Sequence, residues 1–68
     1  MTGKSRELLC KLASAYENGS GSEFDSVFYM GYPEAVLVEL RNNGYIVVEN
    51  DIVGTIRLTQ AGYAAAKE

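Results

Sequence analysis

The sequence predicts an α+β fold in one domain, residues 1–68: three helices, then a two-stranded β-hairpin and a short C-terminal helix. Three observations predict it. Apolar residues recur at helical spacing from Ser5 to Asn18 and again from Pro33 to Asn43. Two runs rich in β-branched residues, Tyr45–Glu49 and Val53–Leu58, flank the turn residues Asn50, Asp51 and Ile52. With 68 residues, 47% hydrophobic and 22% charged, the chain has a globular balance and no room for a second core.

In the first segment, Leu8, Leu9, Leu12 and Tyr16 share one arc of a helical wheel, while Glu7, Lys11, Ser14 and Glu17 take the other side with Cys10. Ser5 is placed to cap this helix and Asn18-Gly19 to stop it. Gly19-Ser20-Gly21-Ser22 reads as a connector. Ser22 and Asp25 then form an S-x-x-D helix start, so Glu23–Met30 is expected as a short helix ending at Gly31. Val27-Phe28-Tyr29 keeps a strand open as the alternative.

Pro33 and Glu34 suit the first turn of the third helix, in which Val36, Leu37 and Leu40 make a core stripe and Asn43-Gly44 the end. In the second strand Ile56 and Leu58 face inward, leaving Thr55 and Arg57 outside. Thr59 caps the last helix, Gln60 to Lys67, which Gly62 weakens.

Several functions are excluded by residue content. Histidine is absent, Cys10 is the lone cysteine and no carboxylates have calcium-loop spacing, so no metal, cofactor or catalytic residues are expected. A serine nucleophile would lack a base, and Glu34 and Glu39 are poorly spaced to act on one bond; the chain is expected not to be an enzyme. A single cysteine allows no internal disulfide and suits a cytoplasmic location. The aliphatic runs are too short for a membrane span, and Lys11 breaks the only run near the start that resembles a signal peptide. A domain this small buries only about 60% of its unfolded surface and has no staple, so a homodimer stays open beside a monomer.

Leu40, Gly44, Tyr45 and Ile46 form an L-x-x-x-G-Y-I pattern, and Leu58, Thr59 and Gly62 form L-T-x-x-G. With the hairpin placed directly after a helix pair, this segment resembles the winged helix-turn-helix families of the MarR and PadR type. In size and layout the chain is similar to small phage-derived winged-helix proteins of the YjcQ type. The likeness covers residues 33–68 by motif and the first half by layout alone. It implies that the third helix is a recognition helix lying in the major groove and that the hairpin is a wing. Carried onto this chain, Arg41, Asn42 and Arg57 become the nucleic-acid-binding residues of a small DNA-binding transcriptional regulator, with double-stranded DNA as the partner.

Charge favours a rival reading. The net charge is −3, with only six lysines and arginines in the chain. Glu34 and Glu39 share the presumed groove-facing side with Ala35, Val38 and Asn42, and the wing tip Glu49-Asn50-Asp51 is acidic. The rival is a winged-helix protein–protein interaction module that does not bind DNA and meets a protein partner, or itself, through Tyr29, Tyr32 and Val38.

Overall fold

Thr2, not Ser5, caps the first helix of the computed structural model, α1 (Gly3–Ala15). Its hydroxyl accepts the Ser5 backbone N–H at 3.2 Å, and Ser5 itself is turned inward and fully buried. The structure describes residues 2–50 and 54–68, with the side chains of 49 and 50 outside that description; the expected turn residues Asp51 and Ile52, and Val53, also lie outside it. Leu8, Leu9, Leu12 and Ala13 form the buried face of α1. Beyond Ala15 the helix widens into a π turn, Tyr16–Ser20, and Gly19 breaks it at φ +95°, where the Asn18-Gly19 pair predicts a stop.

The expected helix over Glu23–Met30 does not form. Glu23–Phe24 is a short strand, β1, and one 3-10 turn follows over Ser26–Phe28. Asp25, not Ser22, is the cap, accepting the Val27 N–H at 3.1 Å. The reason is tertiary: β1 pairs antiparallel with a later strand, which sets Phe24 opposite Ile56 and buries its ring. An edge-to-face contact with Phe28, centroids 4.9 Å apart, closes the corner.

Pro33 precedes α2 (Glu34–Asn42), whose Val36 and Leu40 are buried. Gly44, at φ +76°, ends it as the Asn43-Gly44 pair predicts. The chain then enters β2 (Ile46–Asn50) and β3 (Thr55–Leu58), which pair with Ile46 opposite Leu58 and Val48 opposite Ile56. The sheet is therefore three-stranded and antiparallel, in the order β1-β3-β2, rather than the two-stranded hairpin expected. Its inner face carries Phe24, Ile46, Ile56 and Leu58, all buried, the last two as the alternation predicts. Glu23, Arg57 and Val47 line up across the outer face.

The last helix, α3 (Gln60–Lys67), has the predicted bounds and the predicted cap: Thr59 Oγ1 accepts the Gly62 N–H at 3.0 Å. The same hydroxyl donates to the Gly44 carbonyl at 2.7 Å, tying the end of β3 to the turn after α2. Three α-helices and one small sheet thus enclose a single apolar cluster, to which α1 contributes three leucines, α2 Val36 and Leu40, and α3 Ala65. Each such leucine is worth about 1.5–3 kcal/mol of burial. The described residues form an α+β fold, with three α-helices among them where four were expected.

Candidate interaction surface

Because Val36 and Leu40 point into the core, the opposite side of α2 faces outward, exposing Glu34, Ala35, Val38, Arg41 and Asn42. Within it, Glu34, Leu37, Val38 and Arg41 stand at positions i, i+3, i+4 and i+7, a single stripe along the helix. Together with Val48 of β2 they line a shallow groove of about 170 Å³. Val38 is 37% exposed and Leu37 half-buried, so the floor is apolar. The two charges sit where the helix dipole favours them, the carboxylate in the first turn and the guanidinium in the last.

The structure separates the three residues expected to contact DNA. Arg41 and Asn42 share the last turn of α2. Arg57 points from the outer face of the sheet, opposite the face on which the core and α2 pack, and its Nη2 lies 3.1 Å from Glu23 Oε2. Glu39, expected on the groove-facing side, is turned to the start of α1. There its Oε1 accepts the Thr2 backbone N–H at 3.1 Å. The Ser5 hydroxyl, and after it this Thr2 bond, hold the carboxyl below the usual carboxylate range.

The remaining cations are dispersed and engaged. Lys4 Nζ is 4.0 Å from Glu7, Arg6 donates to the Glu68 carbonyl at 3.5 Å, and Lys11 lies 5.9 Å above the Tyr32 ring. Lys67 Nζ is 2.6 Å from Glu17 Oε2. Among the described residues Arg41 is the cation whose side chain has no salt bridge, hydrogen bond or ring contact, and its groove contains Glu34.

Of the residues expected to meet a protein partner, Val38 alone is exposed. Tyr29 and Tyr32 are half-buried against the core. The Tyr29 hydroxyl donates to the Gly54 carbonyl. Burial, and then a hydrogen bond with Glu7, push the Tyr32 hydroxyl pKa up. Both rings therefore serve the chain's own packing.

One polar cluster was not anticipated. Tyr16, expected in the core, is 45% exposed and meets Tyr63 edge-to-face, centroids 5.3 Å apart. The Tyr63 hydroxyl donates to Glu17 Oε2 at 2.6 Å, beside the Lys67 ammonium. Lys67 first, then Tyr63, hold the Glu17 carboxyl low, while the same Glu17 bonds push the Tyr63 and Lys67 pKa values up. Next to it Tyr16, Ser22, Leu58, Thr59, Gln60 and Tyr63 line an open groove of about 370 Å³. The cluster joins the ends of two helices remote in sequence, so local periodicity carries no sign of it. Cys10 is half-buried rather than on a free polar side, its Sγ 3.8 Å from the Ala66 carbonyl.

Among the described residues no His, Cys, Asp and Glu side chains group to hold a metal ion, and no helix is long and apolar enough to cross a membrane. No protein-family model, curated protein or solved structure matches the chain.

Proposed function

We propose that this chain is a non-enzymatic small winged-helix protein that works as a protein–protein interaction module and does not bind DNA. The succession of α2 and the β2–β3 pair supports the winged-helix reading, with β1 extending the sheet on the far side of β3. One observation carries the function: the groove-lining stripe of α2 has an apolar centre, exposed Val38 beside half-buried Leu37, with one charge of each sign, Glu34 and Arg41, at its ends. Apolar centres with polar rims are the anatomy of protein contacts.

The DNA-binding reading draws on Arg41 and Asn42, which stand together and exposed on α2. Magnitude weighs against it. Specific regulators neutralise about 6–10 phosphates, whereas Arg41 alone would change affinity only about threefold between ~50 and ~200 mM salt. Arg57 faces away from that helix, and Glu34 would meet the phosphates first.

A fluorescence-anisotropy titration with random duplex DNA decides between the two. The expected result is no complex at ~50 mM salt. A complex whose affinity falls steeply with salt, and which Arg41→Ala weakens, would transfer the function to DNA.

A further inference from the structure

We propose that the occupant of the α2–β2 groove is a second copy of this chain. Two α2 helices pack antiparallel about a two-fold axis passing between Leu37 and Val38, and Glu34 of each protomer faces Arg41 of the other. The inference rests on the protein-contact reading above and names its partner.

The argument is one of symmetry. Glu34 lies as far before the midpoint of Leu37 and Val38 as Arg41 lies after it, and all four residues share the stripe. At 1.5 Å of rise per residue the two charges stand roughly 5 Å on either side of that midpoint. A half-turn about an axis through the midpoint therefore lays the stripe on itself with its charges exchanged. Each carboxylate meets a guanidinium, and Val38 of one copy meets the apolar floor of the other. A two-fold contact requires such self-complementarity, because the same patch serves on both sides.

Other occupants match less well. A strongly acidic partner would be repelled by Glu34 and a strongly basic one by Arg41. Parallel packing of two copies would set like charge against like. Helices in contact lie about 8–10 Å apart, a gap that the glutamate and arginine side chains bridge from the two sides.

The strand beneath is consistent with the same axis. Val48, at the middle of β2, lines the groove beside Leu37 and Val38. β2 is the outermost strand, and among the described residues its outer edge has no strand partner. The covered patch would supply the apolar burial that a staple-free chain of this size lacks.

The test uses charge reversal and sedimentation equilibrium. Wild-type protein is expected to shift from monomer to dimer between ~10 μM and ~1 mM. Glu34→Arg and Arg41→Glu, each alone, place like charges across the axis and weaken the dimer by about tenfold or more. Mixed one to one, those two variants regain both complementary pairs and form a heterodimer at wild-type strength. Glu34→Arg/Arg41→Glu in one chain restores the homodimer, which keeps the test readable should circular dichroism show either single variant misfolded. A wild-type protein monomeric at ~1 mM overturns the proposal, as do single variants that dimerise like wild type or a mixture that stays monomeric. Failure with no DNA complex removes the second copy alone. A salt-steep DNA complex through Arg41 removes the protein-contact reading beneath it.

Discussion

Gly62 of α3 lies against the carbonyl of Tyr45 so closely that a Cβ at this position would collide with the oxygen. A glycine inside a helix ordinarily costs about 1 kcal/mol against alanine. Here it is what lets α3 approach the start of β2. Thr59 supports the same junction, its N–H bonded to the Tyr45 carbonyl at 3.0 Å. Gly62→Ala is therefore expected to destabilise the chain by about 1–3 kcal/mol despite its better helix propensity. Urea unfolding followed by circular dichroism measures this; a variant as stable as wild type would show that α3 shifts freely.

Phe24 gives a sharper test of the unexpected strand. The ring is 1% exposed at the junction of β1 and β3. Phe24→Ala should cost about 3–5 kcal/mol, most of the stability of a domain this small. The expected outcome is loss of the cooperative thermal transition. A loss below about 1 kcal/mol would mean that β1 contributes little to the fold.

That strand also marks where sequence reasoning reaches its limit. The α3 bounds, the Thr59 cap, the Gly44 stop and the inward Ile56 and Leu58 were all legible, because each depends on neighbours a few residues away. A two-residue strand has no period to read, and its partners Ile56 and Arg57 are more than 30 residues distant. The exchange of caps at α1 has a similar origin: Ser5 is drawn inward by burial, and Thr2 takes its place. Site residues fared likewise. Strand alternation placed Arg57 outside, but only the packing of α2 shows that the outside lies away from Arg41.

Stability should fall on the acid side. Glu17 and Glu39 both have carboxyl pKa values below the usual range, Glu17 chiefly through Lys67 and Glu39 chiefly through Ser5. A group depressed in the folded state stabilises it fully above the unfolded pKa, and that contribution disappears as pH falls through the folded value. Urea midpoints are expected to hold steady from neutral pH to the ordinary carboxylate range and to drop below it. Glu39→Gln should flatten part of that decline; an unchanged acid limb would show that the Thr2–Glu39 tie is not formed in solution.

Alkaline titration probes the other cluster. Bonding to Glu17 raises both the Tyr63 and Lys67 pKa values. Their contribution is complete below the unfolded values and is lost as pH climbs through the raised ones. Glu17→Gln is expected to return the spectroscopic tyrosine titration toward its ordinary midpoint for one ring. No change in the absorbance profile would place Tyr63 away from Glu17.

Arg57 separates the two functional readings most cleanly, because it lies on β3 between Glu23 and Val47 in register and away from the α2 groove. Its contact with Glu23 is exposed, and such pairs contribute about 0–1 kcal/mol, less at high salt. Arg57→Ala should therefore lower the thermal midpoint only slightly, with the difference shrinking as salt is added. Self-association should be untouched, since the arginine is not in the proposed two-fold contact. A DNA-binding wing would behave otherwise, losing a phosphate contact and about one unit of salt slope. If Arg57→Ala instead dissolved the dimer, the axis could not pass between Leu37 and Val38, and the contact would have to involve the outer face of the sheet.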